Sequence, residues 1–485
     1  MSNNVNKFMA RIDPRVLTEL QKRMHIDNPW WADGKIPVYF ARMQPRALIA
    51  TFARAVENIN LRRAPILMGP RRVGKTVMLY HCIDRLLKKG IHPRKIIYMS
   101  LDTPIYGGIG LEQLLHIASE NIELTEGGLY VFFDEVQYLP QWEQHLKSLV
   151  DTYPSNKFVA SGSAAAALKI KSRESGAGRF SDFMLAPLTF CEYLEMSEDS
   201  LLIDPTHTKG TMLRIDKSNI QALNESFIRY LNFGGYPEVI FSDEIKSGLR
   251  QYVKDDIVEK VLMRDLPSLY GIADTQELNR FFAHIAFRSG SEFSFQNLAD
   301  DAGMSKETVK KYVTYLEAAF LIKTLKRVDQ NAKKMQRTTT FKIYLTSPIL
   351  RNALFSPITE GDEMFVSMVE TAIIDQLLTR NDDDIFYANW HKGREKGEVD
   401  IVWTNNVSLK TERVAEIKWS NRFFENPRNL KSLKYFLELN REIKDIVVTT
   451  KDELGNAEIE GRNVSFIPSS LYAYHISYNN IYGQM

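Results

Sequence analysis

The sequence predicts an α/β protein whose first half has three layers, a parallel sheet with helices on both faces. Three observations lead to this prediction. Short apolar runs alternate with helical patterns, a glycine-containing segment at 69–76 joins one run to a helix, and the run 129–133 ends in two carboxylates. Apolar runs of this kind are typical of strands buried on both faces, which need helices on either side.

The segment 69–76 has the pattern G-x-x-x-x-G-K-[ST] of a phosphate-binding loop. Its residues are Gly69, Pro70, Arg71, Arg72, Val73, Gly74, Lys75 and Thr76. The glycines let backbone N–H groups wrap phosphates, and the start of the following helix adds partial positive charge. Lys75 is expected to reach the β- and γ-phosphate oxygens, and Thr76 offers a hydroxyl to Mg²⁺.

Two carboxylates end the next strongly apolar run, Leu129 to Phe133. Ligands bind at the carboxyl ends of strands in parallel sheets, so Asp134 is predicted to hold Mg²⁺ directly or through water. Glu135 is predicted to polarise the attacking water. A plain strand followed by an acidic helix start is the alternative, which the nearby phosphate-binding loop disfavours.

Two further residues are candidates for contact with a γ-phosphate. Ser161, or alternatively Ser163, ends the strand predicted within 157–168 and would sense that phosphate; a simple turn is the competing interpretation. Arg179 follows a basic, glycine-containing segment and would stabilise transition-state charge in cis or from a neighbouring subunit. A solvated loop arginine is the other interpretation.

Composition limits the class of protein. The 485 residues allow two to four domains, and 44% hydrophobic with 25% charged residues is ordinary for a globular protein. A net charge of +2 restricts any nucleic-acid surface to a local patch. Two cysteines and the lack of a long apolar run predict a cytoplasmic protein without a membrane partner.

A helix-turn-helix pattern follows a mostly helical region, 190–285. The first helix is predicted within 294–303, Gly303 at the turn and Ser305 as the N-cap of the second. Lys306, Lys310 and Lys311 would face away from the core, and 326–337 resembles a charged wing. Such winged helices bind DNA, and they also serve as rigid protein–protein connectors.

The last 140 residues contain a second group of chemical residues. Residues 397–403 and 414–419 predict a hairpin that brings Asp400 beside Glu416, with Lys418 on the same face as Glu416. Two carboxylates and a lysine suit Mg²⁺-dependent phosphodiester cleavage, and Glu370 could supply a further metal ligand. A charged hairpin with cross-strand ion pairs is the alternative.

The motifs together resemble the archaeal-ATPase-like group of prokaryotic AAA-type P-loop proteins. The resemblance covers about residues 45–450 and rests on the motifs at 69–76, 131–135, 160–163, 174–179, 233–238, 264–266, 398–400 and 416–418, with Glu370. It implies ATP and Mg²⁺ as cofactors and a C-terminal domain similar to PD-(D/E)xK nucleases. The expected domains are an N-terminal extension (1–45), an AAA-like ATPase domain (46–195), a helical lid (196–285), a winged helix (286–345) and a nuclease-like domain (346–485).

The leading hypothesis is an ATPase whose nucleotide state controls a DNA-binding and DNA-cleaving C-terminal domain. The alternative is an ATP-dependent molecular switch whose nuclease-like domain only binds a partner or DNA. A kinase using the same loop has no support, because no acceptor-binding pattern stands out and Glu135 favours water as the attacking group. An arginine acting in trans would require a homo-oligomer.

Overall fold

The computed structural model describes residues 13–119, 127–162, 178–197, 202–203, 217–329, 340–379, 384–392, 394–405 and 410–483. The chain divides into two compact units, Met1–Ala186 and Pro187–Met485. Within the described ranges, none of the helices combines the length and apolar composition needed to span a bilayer. Cys82 and Cys191 are both buried and unpaired.

The first unit is built on the predicted parallel sheet. Its helices are α1 (Pro14–Asp27), α2 (Trp30–Asp33), α3 (Val38–Ala41), α4 (Ile49–Glu57), α5 (Lys75–Lys88), α6 (Leu111–Ser119) and α7 (Trp142–Thr152). Its strands are β1 (Ala64–Met68), β2 (Ile96–Ser100), β3 (Tyr130–Asp134), β4 (Lys157–Gly162) and β5 (Phe180–Met184). The strand order is β2-β3-β4-β1-β5 and every pairing is parallel.

Burial explains why these short runs form strands. All residues of β1, β3 and β4 are buried, as expected for central strands covered by helices on both faces. Parallel pairing brings the carboxyl ends of the strands to one edge, where Ser100 lies opposite Asp134 and Met68 opposite Gly162. The predicted phosphate-binding loop therefore starts at the same sheet edge as the predicted acidic pair.

The N-terminal segment covers the exposed edge of β2. The side chain of Asn28 accepts from the backbone N–H of Tyr98 (2.6 Å) and donates to its carbonyl (2.9 Å), as a neighbouring strand would. The indole N–H groups of Trp30 and Trp31 both donate to the carbonyl of Ile96, at 3.0 and 2.9 Å. These bonds satisfy backbone groups that an open sheet edge would leave available for unwanted pairing.

The second unit begins with helices and ends with a mixed sheet. Its α-helices are α8 (Phe190–Met196), α9 (Lys217–Phe233), α10 (Pro237–Phe241), α11 (Asp243–Ser247), α12 (Leu249–Gln251), α13 (Leu266–Tyr270), α14 (Thr275–Phe287), α15 (Phe295–Ala302), α16 (Lys306–Ala318), α17 (Ile349–Leu354), α18 (Phe365–Leu378), α19 (Arg422–Glu425), α20 (Lys431–Leu439) and α21 (Ser469–Tyr482). Two π-helical segments, Tyr252–Glu259 and Val261–Asp265, lie between α12 and α13. The strands are β6 (Glu292–Ser294), β7 (Ile322–Val328), β8 (Thr340–Leu345), β9 (Ile385–Lys392), β10 (Glu395–Thr404), β11 (Thr411–Glu416), β12 (Asp445–Thr450), β13 (Gly455–Ile459) and β14 (Arg462–Pro468).

The predicted helix pair is present. The Ser305 hydroxyl accepts from the N–H of Thr308 (3.1 Å) and caps α16, and Gly303 occupies the turn at a φ of 66°. Val309, Tyr312, Val313 and Leu316 are buried, while Lys306, Lys310 and Lys311 are exposed. Most of the predicted wing, 330–337, lies outside the described residues.

One nine-stranded sheet runs through most of the second unit, in the order β13-β14-β12-β11-β10-β9-β7-β8-β6. β7 pairs in parallel with β9, through Arg327 opposite Tyr387 and Val328 opposite Ala388. The strands beside the helix pair and the strands of the C-terminal region therefore share a single hydrogen-bonded ladder. Two core clusters cover the C-terminal strands, one containing α18 and α21 and the other containing α20.

Candidate functional site

The loop between β1 and α5 can be made only with glycine at two positions. A Cβ on Gly69 would lie 2.2 Å from the carbonyl oxygen of Leu185, and Gly74 has a φ of 95° directly before α5. Lys75 is buried, and its ammonium donates to the carbonyls of Gly69 (3.1 Å) and Pro70 (2.8 Å). The lysine charge thus lies inside a loop that leads into the N-terminus of a 14-residue helix.

Asp134 joins the loop to the ends of β3 and β4. The hydroxyl of Thr76 donates to Oδ2 of Asp134 at 2.7 Å. Oδ1 of the same carboxylate accepts from the Ser161 hydroxyl and from the N–H of Glu135 (3.1 Å). Hydroxyl and carboxylate oxygens are the ligands that Mg²⁺ prefers, so Thr76 and Asp134 fit the ion that the motif implies.

Glu135 has an unusual backbone conformation beside this carboxylate. Its φ of 55° and ψ of 46° are left-handed, a region that non-glycine residues occupy at an energetic cost and that recurs at functional sites. The side-chain amide of Gln137 donates to its carboxylate. Burial raises the pKa of Glu135, the Lys75 ammonium opposes this, and the Asp134 charge adds to it. The result is a carboxyl group whose affinity for a proton is increased, as a base that accepts one from water requires.

Two residues at this site were not found from the sequence. Tyr98 on β2 is buried, and its hydroxyl donates to Oδ2 of Asp134 at 2.7 Å. Burial and then the Asp134 charge raise the pKa of Tyr98, so the hydroxyl keeps its proton and acts as a donor. Arg46 is buried and donates to the carbonyls of Val73 (2.8 Å) and Ala186 (3.0 Å), which ties the loop to the chain after β5.

The structure does not bring Arg179 to the loop of its own chain. Arg179 comes directly before Phe180, which pairs with Ala64 at the start of β1, whereas the loop follows the end of β1. The two ends are roughly 13 Å apart for a five-residue strand. Arg179 instead forms an exposed ion pair with Asp151. Action of Arg179 in cis is therefore inconsistent with this geometry, and action in trans stays a prediction; Ser163 lies outside the described residues.

The predicted C-terminal group assembles around Asp400. β10 and β11 pair antiparallel with Ile401 opposite Ala415, which brings Asp400 beside Glu416 as predicted. Oδ2 of Asp400 accepts from the N–H of Ile417 (2.7 Å) and from the Lys418 ammonium (3.2 Å), and the N–H of Asp400 donates to Glu416 (3.2 Å). A register shift in the β10–β9 pairing spans Asp400, an irregularity that often re-aims a side chain near a site.

Burial and neighbouring charges shift the pKa values of Asp400 and Glu416 in opposite directions. Burial acts to raise the pKa of Asp400, but Lys418, Lys342 and the Ile417 N–H together hold it below its usual value. Burial, and then the charge of Asp400, raises the pKa of Glu416 to about 8. The two neighbouring carboxyl groups therefore differ in their affinity for a proton, which is higher for Glu416.

Glu370 is held by residues that the sequence did not suggest. The Lys342 ammonium on β8 lies 3.0 Å from Glu370 and 2.5 Å from Glu398, and the Tyr344 hydroxyl donates to Glu370 at 2.6 Å. Among the residues that the structure describes, no three His, Cys, Asp or Glu side chains are placed to hold one metal ion. Lys342 contacts Glu370, and Lys418 contacts Asp400 and Glu416. A metal site formed by Glu370, Asp400 and Glu416 together stays a prediction.

Comparisons with known protein families support the predicted class of the first unit. Residues 61–194 match the model of the AAA domain family, and residues 224–360 match a domain of unknown function. The match at 61–194 covers the loop, the acidic strand and the Ser161 strand. It supports an AAA-type P-loop ATPase domain in this part of the chain.

Relatives and solved structures add little about activity. An uncharacterized protein of Haemophilus influenzae is 22% identical over 83% of this chain and 92% of its own length. Two uncharacterized proteins of Methanocaldococcus jannaschii are 27% and 23% identical, over 59% and 80% of this chain and 61% and 82% of their own lengths. AMPPCP-bound DnaA from Aquifex aeolicus has a TM-score of 0.27 at 15% identity, covering 55% of this chain and 86% of that one. PCH-2 of C. elegans has a TM-score of 0.26 at 15% identity, covering 44% and 62%.

Proposed function

We propose that the protein binds ATP with Mg²⁺ at the loop 69–76 and hydrolyses it. The observation that carries this proposal is the hydrogen bond of 2.7 Å between Thr76 and Asp134, which joins the phosphate-binding loop to the acidic end of β3. A phosphate-binding loop alone would suit many ligands. A hydroxyl and a carboxylate in contact at its end suit a metal-bound triphosphate.

Each residue of the site has a distinct proposed role in ATP hydrolysis. Backbone N–H groups of 69–76 and the Lys75 ammonium bind the phosphate oxygens, and a bound Mg²⁺ would neutralise charge that develops on them. Glu135, held by Gln137, orients the attacking water and accepts its proton. Ser161 contacts Asp134 and the N–H of Glu135 (3.3 Å) and so helps to hold the acidic pair; its role as a sensor of the γ-phosphate stays a prediction.

Replacing Lys75 with alanine is expected to weaken ATP binding by about 2–3 kcal/mol, because a charge-assisted contact to the phosphates is lost. Lys88→Ala at the other end of α5 is the matched control, since that side chain is 74% exposed. Isothermal calorimetry with ATP and Mg²⁺ measures both affinities. Equal affinity of the Lys75→Ala variant and the wild type would place the nucleotide elsewhere.

A second activity is favoured by the arrangement of Asp400, Glu416 and Lys418. We propose that this group cleaves phosphodiester bonds of DNA with a divalent metal ion held by Asp400 and Glu416. The partly buried contact of Asp400 with Lys418 supports the proposal, because an ammonium beside a carboxylate can orient water. Burial opposes the charged form, but Asp400 and Glu416 raise the pKa of Lys418, so the lysine acts as a cation and not as a base. A switch whose C-terminal region only binds a partner remains the alternative, and the ion pairs of this group fit it as well.

DNA is the proposed partner of the helix pair. The order α14, β6, α15, α16, β7, β8, with β6 and β7 both pairing with β8, supports a winged helix. The exposed Lys306, Lys310 and Lys311 would contact phosphates. Nucleotide state would then control how the chain acts on bound DNA.

Asp400→Ala is expected to abolish DNA cleavage, because the metal ion would lose one of its two proposed carboxylate ligands. Plasmid, linear and branched DNA are incubated with Mg²⁺ or Mn²⁺, with and without ATP. Glu458→Ala, which removes an exposed carboxylate from β13 of the same sheet, should cut like the wild type. Absence of cutting by the wild type under every condition favours the switch instead.

A further inference from the structure

Asp134 is held from both sides of its carboxylate, and one of the donors has no part in the hydrolysis described above. Oδ2 accepts from Thr76 and also from the Tyr98 hydroxyl, both at 2.7 Å. Oδ1 accepts from Ser161 and from the N–H of Glu135. Because Thr76 has to share its hydroxyl with a metal ion, Tyr98 is the donor that can keep Oδ2 in place once the ion is bound.

Tyr98 is itself fixed by the N-terminal segment. Its backbone N–H and carbonyl are both bonded to the side chain of Asn28, which follows α1. Its ring packs against that of Tyr80 on α5, with 5.1 Å between centroids, and Tyr80 in turn stacks on Phe40 of α3 at 4.0 Å. The tyrosine is 4% exposed. The position of its hydroxyl is therefore set by groups from α1, α3 and α5 as well as by β2.

We propose that Tyr98 is a positioning residue for the magnesium-binding carboxylate, and that Asn28 acts on the same carboxylate through Tyr98. This inference rests on the proposed binding of ATP with Mg²⁺. A carboxylate that binds a metal through one lone pair is held in orientation when a fixed donor takes the other. Without the Tyr98 hydroxyl, the Asp134 carboxylate can rotate, and its affinity for Mg²⁺ falls. The contacts between the loop 69–76 and the nucleotide do not change.

Tyr98→Phe tests the inference in the full-length protein. A fluorescent ATP analogue is titrated in EDTA and at a series of Mg²⁺ concentrations, and ATP turnover is measured over the same series. The Mg²⁺ concentration for half-maximal binding and turnover is expected to rise about tenfold, as for the loss of one hydrogen bond to a charged group. Affinity in EDTA, and turnover at saturating Mg²⁺, should stay close to those of the wild type.

Three further variants distinguish a positioning role of Tyr98 from a general disturbance of the fold. Tyr80→Phe keeps the ring beside Tyr98 and removes a hydroxyl that only feels the Asp134 charge, so it should shift the Mg²⁺ dependence much less than Tyr98→Phe. Asn28→Ala should shift it in the same direction as Tyr98→Phe, and the double variant should shift it no further than Tyr98→Phe alone. Melting temperatures confirm that each variant is folded.

The outcomes distinguish this inference from the proposal on which it rests. A wild type that binds no nucleotide under any condition overturns both. A wild type that binds ATP with Mg²⁺, together with a Tyr98→Phe variant of unchanged Mg²⁺ dependence, overturns the positioning role alone. Equal loss of affinity with and without Mg²⁺ also overturns it, because the effect would then reach the nucleotide through the fold and not through the ion.

Discussion

Glu135→Gln is expected to bind ATP as the wild type does and to hydrolyse it about 10²- to 10⁴-fold more slowly, the usual contribution of a general base. Glutamine keeps the shape of the side chain and its contact with Gln137, but it cannot accept a proton from water. Single-turnover hydrolysis with excess protein measures the chemical step directly. Calorimetry on the same samples establishes that binding is retained.

The control for this variant is Asp84→Asn, which neutralises a carboxylate paired with Lys88 on α5, away from the loop. That variant should hydrolyse ATP normally. If Glu135→Gln turned over ATP at the wild-type rate, another residue would have to orient the water. The left-handed backbone of Glu135 would then need an explanation other than catalysis.

Lys342→Met is expected to destabilise the second unit by about 3–5 kcal/mol, the usual cost of removing one partner of a buried ion pair. The lysine side chain is 4% exposed and lies between Glu370 and Glu398. Methionine fills a similar volume but leaves the largely buried Glu370 carboxylate with only the Tyr344 hydroxyl as a donor, while Glu398, one-third exposed, can be hydrated. Urea unfolding, followed by circular dichroism, measures the loss.

Two further variants test the cause of that loss. Lys434→Met breaks the ion pair with Glu460 on the surface, where both side chains are at least one-third exposed, and should change stability little. Adding Glu370→Gln and Glu398→Gln to Lys342→Met should recover part of the lost stability, because the uncompensated charges are removed. A small effect of Lys342→Met alone would show that the carboxyl groups take up protons at low cost.

The sequence predicted those parts of the site that depend on local patterns. The loop 69–76, the acidic end of β3, the caps around Gly303 and Ser305, and the pairing of Asp400 with Glu416 all follow from motif spacing or from strand alternation. In each case the residues concerned are close in sequence or lie on a recognisable strand. Such patterns report what one element does by itself.

Contacts between distant elements could not be predicted in this way. Tyr98 and Asp134 are 36 residues apart, and Lys342 and Glu370 are 28 apart, with nothing in either local pattern that marks the pairing. Tyr98 in an apolar run indicates only a buried strand position. Lys342 within an apolar strand was the one available signal, since a buried lysine needs acceptors for its ammonium group, either carboxylates or carbonyls.

The direction of a strand explains why Arg179 does not lie at the loop of its own chain. A basic residue close to the predicted nucleotide site in sequence suggests a role there, but β5 runs parallel to β1 and therefore begins at the far edge of the sheet. Alternation of apolar residues does not reveal which end of a strand faces the ligand. Sheet pairing has to be known first.

The continuous pairing of β7 with β9 has a practical consequence for the study of the proposed DNA-binding helix pair in isolation. If the protein were divided between residues 345 and 346, β7 and β9 would each lose a neighbouring strand. The unpaired edge strands of both fragments would be prone to aggregation. A fragment that contains all of the second unit, Pro187–Met485, keeps the β7–β9 pairing intact. Because β7 and β9 are hydrogen-bonded neighbours, the helix pair and the Asp400 group belong to one continuous sheet and not to two separately linked domains.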